Sequence, residues 1–211
     1  MEDNIEDFLK NNALCVEQTR VCSMKCKMEN LNVNLEQAAN YLIRMFYQTG
    51  QKYSCTRTKI GKLLSIVAFV YAKKDRRIFN ETIYKYGDCG TTINELTATV
   101  DRDVYLQCEY QNDGNYINDQ FDASALIPDK HKNISSIEKD VAIVLENVFR
   151  HFGSYSAYEL GQFICPIIEA SNMILENNVV NLPQLCKLEY KDFEVSENNH
   201  NLLKYLFEHV N

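Results

Sequence analysis

The segment that most constrains the fold is a long apolar stretch that begins near Thr56 and ends before Lys73. Its apolar side chains recur at helical spacing and cover most of the circumference of a helix: Ile60, Leu63, Leu64, Ile66, Val67, Ala68, Phe69, Val70 and Tyr71. A helix that is apolar on nearly every side must be surrounded by other elements, so we expect this one at the centre of the fold. Its apolar run, which Ser65 interrupts, is too short to cross a bilayer.

A second helix is predicted directly before this segment. Asn34 and Gln37 have the spacing of a capping box, and Gly50 is a suitable helix stop. The apolar residues between them repeat at helical intervals: Leu35, Ala38, Ala39, Leu42, Ile43 and Phe46.

Two further helix starts are predicted later in the chain. Ser135 with Glu138 and Ser156 with Glu159 both have the Ser-x-x-Glu spacing of a capping box. Pro166 is expected to kink or interrupt the later of these helices, because proline lacks the amide donor of a helix interior. A last helix is predicted near residues 196–210.

Shorter extended elements are predicted between the helices. Residues 78–86 have the pattern of a strand or arm that ends in a turn at 87–90. Residues 104–110 and 115–121 flank Asn-Asp-Gly at 112–114, and Asp-Gly favours the positive φ angles of a tight hairpin turn. The predicted fold class is therefore α+β, a mainly α-helical domain with a small antiparallel sheet or hairpin on one side.

The size and composition of the chain indicate one domain with terminal additions. A chain of 211 residues with 45% hydrophobic content can bury a sizeable core. We expect an N-terminal extension at 1–33, the main domain at 34–177, and a C-terminal loop and helix at 178–211 packed on that domain. The acidic first residues precede no apolar run, so no secretory signal is predicted. We expect a soluble cytoplasmic protein whose eight cysteines are reduced thiols.

Charge is distributed unevenly along the chain. The net charge of −7 argues against a general nucleic-acid binder. Between residues 44 and 77, nine basic residues accompany Asp75 alone, whereas between 101 and 129 seven acidic residues accompany only Arg102. The molecule is therefore expected to be a dipole. The alternative is that each block is an ordinary solvated face.

The common catalytic and cofactor motifs are not found in the sequence. With seven glycines, the chain has neither GxGxxG nor GxxxxGK[ST], and it has no GxSxG or HExxH. The four histidines, His131, His151, His200 and His209, are scattered through the second half. We therefore expect no cofactor and no enzymatic activity.

Two weak metal-site hypotheses remain. Cys15, Cys22 and Cys26 could supply three thiolates to zinc, with Cys89 as a fourth ligand, although their spacing differs from the usual CxxC pairs. The alternative is a set of free thiols. Asp101-Arg102-Asp103 resembles a carboxylate pair for a divalent cation, and the competing interpretation is a solvated turn.

The candidate partner-binding residues are surface tyrosines and acids in the predicted strands and hairpin. Tyrosine is favoured at protein interfaces because it combines a large area with a hydrogen-bonding tip. We predict contacts from Tyr84, Tyr86, Asp88, Tyr110, Asp113, Tyr116, Asp119 and Asp122. A second, basic face is predicted from Arg57, Lys59, Lys62, Arg76 and Arg77. The alternative for the tyrosines is packing on the helices beneath them.

Five short segments, taken in order, resemble a known family. They are Ala-Asn-Tyr-Leu at 39–42, Lys-Ile-Gly-Lys-Leu-Leu at 59–64, Arg-Ile-Phe-Asn-Glu at 77–81, Tyr-Gly at 86–87 and Phe-Gly-Ser-Tyr-Ser-Ala-Tyr-Glu-Leu at 152–160. Their order and spacing resemble the Panacea domain, the SocA-like antitoxin domain of bacterial and phage toxin–antitoxin systems. The resemblance covers residues 34–177. The family typically has Pro-Val after the Tyr-Gly and Thr-His in the later helix, where this chain has Asp-Cys-Gly at 88–90 and Ile-Cys at 164–165.

The resemblance implies a non-enzymatic protein that neutralises a toxin by binding it directly. The alternative within binding proteins is a phage or mobile-element inhibitor that blocks a host defence complex, with the acidic hairpin as a nucleic-acid mimic. A third class is an enzyme that uses a cysteine or an aspartate pair.

Overall fold

The computed structural model describes residues 28–85, 91–93, 107–110, 124–127, 137–169, 174–185, 187–189 and 200–208. In chain order its elements are β1 (Glu29–Asn30), α1 (Leu35–Gln48), a 3-10 turn (Lys52–Ser54), α2 (Arg57–Ala72), β2 (Arg76–Arg77), β3 (Ile83–Lys85), β4 (Thr91–Ile93), β5 (Gln107–Tyr110), β6 (Ser124–Ile127), α3 (Lys139–Phe152), α4 (Ala157–Glu169), a 3-10 turn (Glu176–Asn178), α5 (Leu182–Leu185) and α6 (His200–Glu208). The predicted α+β class, mainly helical with a few short strands, is confirmed.

Helix α2 lies at the centre of the fold, as its apolar circumference predicts. It is buried along 14 of its 16 residues. The helices α1, α3, α4 and α5 contact it, and so do the strands β2 and β4. Thr56 caps its first turn by accepting a hydrogen bond from the Lys59 amide at 3.3 Å. Helix α2 thus positions the elements that pack directly on it.

Helix α1 begins and ends at the residues that the sequence predicts. The Asn34 side-chain oxygen accepts a hydrogen bond from the Gln37 amide at 3.0 Å. Gly50 follows the helix with a φ of 73°, a conformation that glycine adopts without a steric penalty. The Phe46 ring, which is fully buried, meets the edge of Phe149 in α3 at a centroid distance of 4.8 Å. This contact closes one side of the core.

The later capping predictions have opposite outcomes. The Ser156 amide donates to the Glu159 carboxylate at 2.7 Å, and the Glu159 amide donates to the Ser156 hydroxyl at 3.2 Å, so the predicted capping box opens α4. The box at Ser135 is wrong, because α3 begins at Lys139 and Glu138 is itself the N-cap residue. Helix α4 also runs on through Pro166 to Glu169 without a break.

The strands form three short pairings in the described part of the chain. Strands β1 and β2 pair in parallel, and the amides of Leu31 and Val33 donate to the carbonyls of Arg77 and Ile78, each at 2.9 Å. Strands β3 and β4 are antiparallel. The pairing of β1 with β2 attaches residues 28–33 to the chain that leaves α2.

The third pairing lies in the region of the predicted hairpin. Strand β5 pairs antiparallel with β6, with Gln107 opposite Ile127 and Tyr110 opposite Ser124. The predicted tight turn at 112–114 and the predicted strand at 115–121 lie outside the described residues, so that hairpin stays a prediction.

The C-terminal helix α6 packs on the end of α3. Leu203 and Leu206 are fully buried, and the Tyr205 ring meets Phe152 edge-on at a centroid distance of 5.3 Å. Within the part of the chain that the structure describes, no helix has both the length and the apolarity needed to span a bilayer.

Candidate functional site

Two lysines of the predicted basic face lie inside the fold. Lys59 is 3% exposed and Lys62 is 6% exposed, so the prediction of one exposed basic face is wrong for both. The cause is that neighbouring helices surround α2 from its first turn onward. The long methylene chain of a lysine packs well against apolar neighbours. Arg57, at the first position of α2, is half-buried.

The environment of Lys59 is apolar, with a thiol nearby. Its ammonium lies 4.8 Å from the centroid of the Phe46 ring, a cation–π contact. Burial lowers the pKa of Lys59, while Cys55 and the Glu159 carboxylate partly oppose that shift. Burial also raises the pKa of the Cys55 thiol to about 12, although Lys59 acts in the opposite direction. Since the thiolate is the reactive form of cysteine, Cys55 is not an activated nucleophile.

The two arginines of the predicted basic face lie at the other end of α2. Arg76 is exposed and forms an ion pair with Glu29 at 2.9 Å. The Arg77 guanidinium donates to the carbonyls of Phe79 at 2.9 Å and Asn80 at 2.6 Å, which shapes the turn after β2. The five basic residues therefore do not form one face. Arg57, Lys59 and Lys62 lie near the start of α2, where the two lysines are buried, and Arg76 and Arg77 follow its end.

Few of the predicted partner contacts fall in the described residues. Tyr84 is half-buried in β3, opposite Thr92 on one side and bridged to Val179 on the other. Tyr110 lies in β5. The remaining predicted contacts lie outside the described residues: Tyr86, Asp88, Asp113, Tyr116, Asp119 and Asp122.

The predicted metal ligands also lie outside the described residues, namely Cys15, Cys22, Cys26, Cys89, Asp101 and Asp103. Among the described side chains, no three His, Cys, Asp or Glu residues are grouped closely enough to hold a metal ion.

Three large apolar side chains are exposed and were missed by the sequence prediction. Tyr158 is 69% exposed in the first turn of α4, Leu175 is 50% exposed, and Ile143 is 45% exposed on α3. Tyr158 could have been found, because it lies off the apolar stripe of a helix whose capping box the sequence predicts. Ile143 likewise lies off the buried stripe of α3.

A concave site lies between α1 and α3, and we call it the α1–α3 groove. Its volume is about 430 Å³. Its lining residues are Tyr41, Arg44, Met45, Gln48, Thr49, Glu146, Phe149 and Arg150. They come from the neighbouring sides of α1 and α3. One of them, Phe149, also makes the buried ring contact with Phe46 that joins the two helices.

A tyrosine–carboxylate pair crosses this groove. The Tyr41 hydroxyl donates to the Glu146 carboxylate at 2.5 Å. Burial, the hydrogen bond and the negative charge of Glu146 together raise the pKa of Tyr41 to about 12. The phenol therefore keeps its proton at neutral pH and holds the carboxylate in place.

Two guanidinium groups also line the groove. Arg44 lies one helical turn after Tyr41, and Arg150 lies one turn after Glu146. The Arg150 guanidinium also approaches the Asn147 side-chain oxygen at 3.5 Å. With two arginines and one glutamate, the lining carries a formal charge of +1 in a molecule whose net charge is −7.

Comparisons of this chain with protein-family models, curated proteins and solved structures give no match. The resemblance to the Panacea domain therefore depends on the five sequence segments alone.

The described side chains of the α1–α3 groove include charged, polar and apolar groups. The Thr49 hydroxyl donates to the Met45 carbonyl at 2.9 Å and is already engaged within α1. The described lining contains no histidine or cysteine, and the pKa of its tyrosine is raised, away from the range of a general base. Two guanidiniums beside Met45 and Phe149 are suited to bind a ligand that has both a negative and an apolar part.

The sequence prediction missed this groove because its two sides are far apart in the chain. Tyr41 and Glu146 are separated by 105 residues. The available signal is weak: Tyr41 and Arg44 share the face of α1 opposite its buried stripe, and Glu146 and Arg150 share a face of α3. Nothing local in the sequence indicates that these two faces meet.

Proposed function

We propose that the protein is a non-enzymatic binding module that neutralises a partner protein by direct contact, as its resemblance to the Panacea antitoxin domain implies. The antitoxin role follows from the resemblance alone. The geometry of the structure independently supports a role in binding.

The observation that carries the proposal is a contact between two of the segments that resemble the family. The Lys62 ammonium, in the segment at 59–64, donates to the Ala157 carbonyl, in the segment at 152–160, at 2.6 Å. Both residues are internal to the packing of α2 on α4. In both segments that resemble the family, these residues hold helices together. This supports a fold shared with the family, in which the outer surface can differ from one partner protein to another.

A second segment of the resemblance also has a framework role. In the segment at 77–81, the Arg77 side chain donates to the backbone carbonyls of Phe79 and Asn80 within the same segment. Lys59 and Lys62 are charged residues of a type that enzymes use in catalysis. Here both are buried, Lys59 against the Phe46 ring and Lys62 on the Ala157 carbonyl. This favours a binding protein over the enzyme hypothesis.

The exposed apolar side chains offer a surface that a protein partner can cover. Tyr158, Leu175 and Ile143 are each at least 45% exposed. Isolated exposed apolar residues are common, but an exposed tyrosine in a rigid first turn has the low entropy and mixed chemistry of an interface residue. Tyr84 remains a candidate from the sequence prediction.

The test is co-expression with the adjacent gene of its genome. We expect the adjacent gene to arrest growth when it is induced alone, and this protein to restore growth when both are expressed. Tyr158→Ala should weaken rescue and binding of the purified partner, whereas Lys139→Ala, at an exposed charged residue on α3, serves as a matched surface control.

Two results would separate the hypotheses. If the adjacent gene is harmless alone, the antitoxin proposal is wrong, and the inhibitor hypothesis becomes the one to test by charge reversal at Asp113, Asp119 and Asp122. If the gene is toxic and this protein rescues growth without binding its product, neutralisation by direct contact is wrong.

A further inference from the structure

We propose that the α1–α3 groove is the docking site for an acidic peptide segment of the partner, one that presents a carboxylate next to an apolar side chain. This inference rests on the proposed function in one respect, namely that the partner is a protein. It adds where that partner binds and what chemistry its binding segment has.

The size and lining of the groove fit side chains of a peptide. A volume of about 430 Å³ lies within the range of sites that hold a small ligand or a few side chains. Met45 and Phe149 supply the apolar part of the lining. Phe149 is largely buried, and its ring packs on Phe46 at a centroid distance of 4.8 Å, which anchors it in the core.

The charges select a carboxylate. Arg44 and Arg150 enter the groove from opposite helices, and a guanidinium binds a carboxylate through two parallel hydrogen bonds. Glu146, the one acid among the described lining residues, accepts a hydrogen bond from the Tyr41 hydroxyl at 2.5 Å. The exposed Arg150 guanidinium therefore offers an incoming carboxylate a charge-assisted contact, and Arg44 adds positive charge from the opposite helix.

The same charges disfavour a nucleic acid. A phosphate backbone carries a charge at every nucleotide, and its binding requires a run of cations. Here the described lining combines two arginines with one glutamate, and the whole chain has a net charge of −7. A single carboxylate next to an apolar group matches this arrangement, and a polyanion does not.

An apolar contact continues the groove along α3. Ile143 lies one helical turn before Glu146 and Asn147 and is 45% exposed. A peptide that places its carboxylate at Arg150 can therefore extend along α3 and cover Ile143 with its next apolar side chain.

The direct test uses short synthetic peptides and the full-length protein. The probes are capped Gly-Ser peptides that contain Asp-Phe, Asn-Phe or Asp-Ala at their centre. Binding is followed by NMR through the Arg44 and Arg150 Nε–H signals and the Met45 methyl signal. We expect the Asp-Phe peptide to shift these signals. The affinities of the Asn-Phe and Asp-Ala peptides should be lower by about tenfold or more.

Matched charge reversals locate the site. Arg150→Glu should weaken binding of the Asp-Phe peptide by about tenfold or more, because one charge-assisted contact is replaced by repulsion. Lys74→Glu makes the same charge change at an exposed residue outside the groove and should alter affinity less than about twofold. Because Arg150 is exposed, both variants should keep the circular dichroism and melting temperature of the unchanged protein.

Several results would overturn the inference. One is that no peptide shifts the groove signals at millimolar concentration. Another is that the two charge reversals have equal effects. A single-stranded oligonucleotide that shifts the same signals more strongly than the peptide would assign the groove to nucleic acid. Groove signals that move with protein concentration alone would assign it to a second copy of the chain.

Failure of this inference can be told apart from failure of the proposed function. If Arg150→Glu loses the peptide but still restores growth in co-expression, the groove is not the docking site and the antitoxin proposal stands. If the adjacent gene is harmless, the antitoxin proposal fails, while the peptide titration still reports on the groove.

Discussion

Tyr41 and Glu146 share a 2.5 Å hydrogen bond across the α1–α3 groove, although they are 105 residues apart in the chain. The bond has two effects on the site. It holds the Glu146 carboxylate in place, and it joins two helices that are far apart in the sequence. The stability of the fold and the shape of the groove are therefore coupled at this pair.

Tyr41→Phe should lower the free energy of unfolding by about 1–2 kcal/mol, because the ring is kept while a hydrogen bond to a charged, part-buried acceptor is lost. Tyr158→Phe is the matched control, since that tyrosine is 69% exposed and its hydroxyl can remain in water. Urea denaturation at neutral pH measures both changes. Equal values for the two variants would show that the hydrogen bond contributes no net stability.

Ser156→Ala should cost about 1 kcal/mol of stability, the usual effect of removing an N-cap side chain. Ser154→Ala, two residues earlier at an exposed position, should be close to neutral. The capping box also has a pH signature. Hydrogen bonds from Ser156 lower the pKa of Glu159 in the folded state, so its contribution is present above the unfolded pKa and is lost as pH falls through the folded pKa.

A comparison of acid titrations checks this second effect. The stability of the unchanged protein should fall more steeply toward acid than that of Ser156→Ala, because the substitution removes one of the hydrogen bonds that hold Glu159 ionised. Parallel pH profiles for the two proteins would contradict the assignment.

Cys55 should make the protein less stable at alkaline pH. Burial raises its pKa from 9.0 to about 12, so the folded state keeps the proton that the unfolded state loses. Stability is therefore fully present below pH 9 and declines above it, with a slope of up to about 1.4 kcal/mol per pH unit for one proton. The lowered pKa of Lys59 acts in the opposite direction, since there the unfolded state binds the extra proton.

Cys55→Ala isolates the thiol from these other groups. Guanidinium denaturation between pH 8 and 10.5 should show a shallower decline for this variant than for the unchanged protein, even though the truncation itself costs some stability at every pH. An identical slope in both proteins would mean that the Cys55 thiol does not keep its proton in the folded state.

Pro166→Ala should stabilise the protein by about 1–2 kcal/mol. Proline inside a helix removes a backbone donor and crowds the preceding turn, a cost that exceeds the entropy that proline saves in the unfolded chain. Pro183→Ala is the control, because Pro183 is the second residue of α5, where a helix tolerates proline. That variant should be neutral or slightly destabilised in thermal unfolding. A loss of stability in Pro166→Ala would show that the position is adapted to proline.

The helices could be predicted from the sequence because their signals are local. Asn34, Thr56 and Ser156 each cap the helix that follows, and the apolar stripes of α1, α2 and α4 face the core. A cap and a stripe depend on residues within a few turns of each other. At Ser135 the spacing of a capping box occurs, but α3 begins at Lys139, so that prediction was wrong by about one turn.

The parts that could not be predicted depend on contacts between distant residues. The pairing of β5 with β6 is decided in three dimensions, and no local signal in the sequence indicates it. Lys59 and Lys62 are buried because other elements cover the start of α2. The number of charges in a segment does not indicate which elements will cover it. The groove likewise exists only because Tyr41 and Glu146 are brought together.

The near-complete enclosure of α2 has a practical consequence for measuring this protein. Amide hydrogens in such a helix exchange with solvent chiefly when the whole domain opens, so their exchange rate in deuterium oxide is a gauge of global stability. The outer faces of α1 and α3 report on local events instead. A molecule that occupies the groove would slow exchange in α1 and α3 first, and the two signals together distinguish a ligand from a general stabiliser.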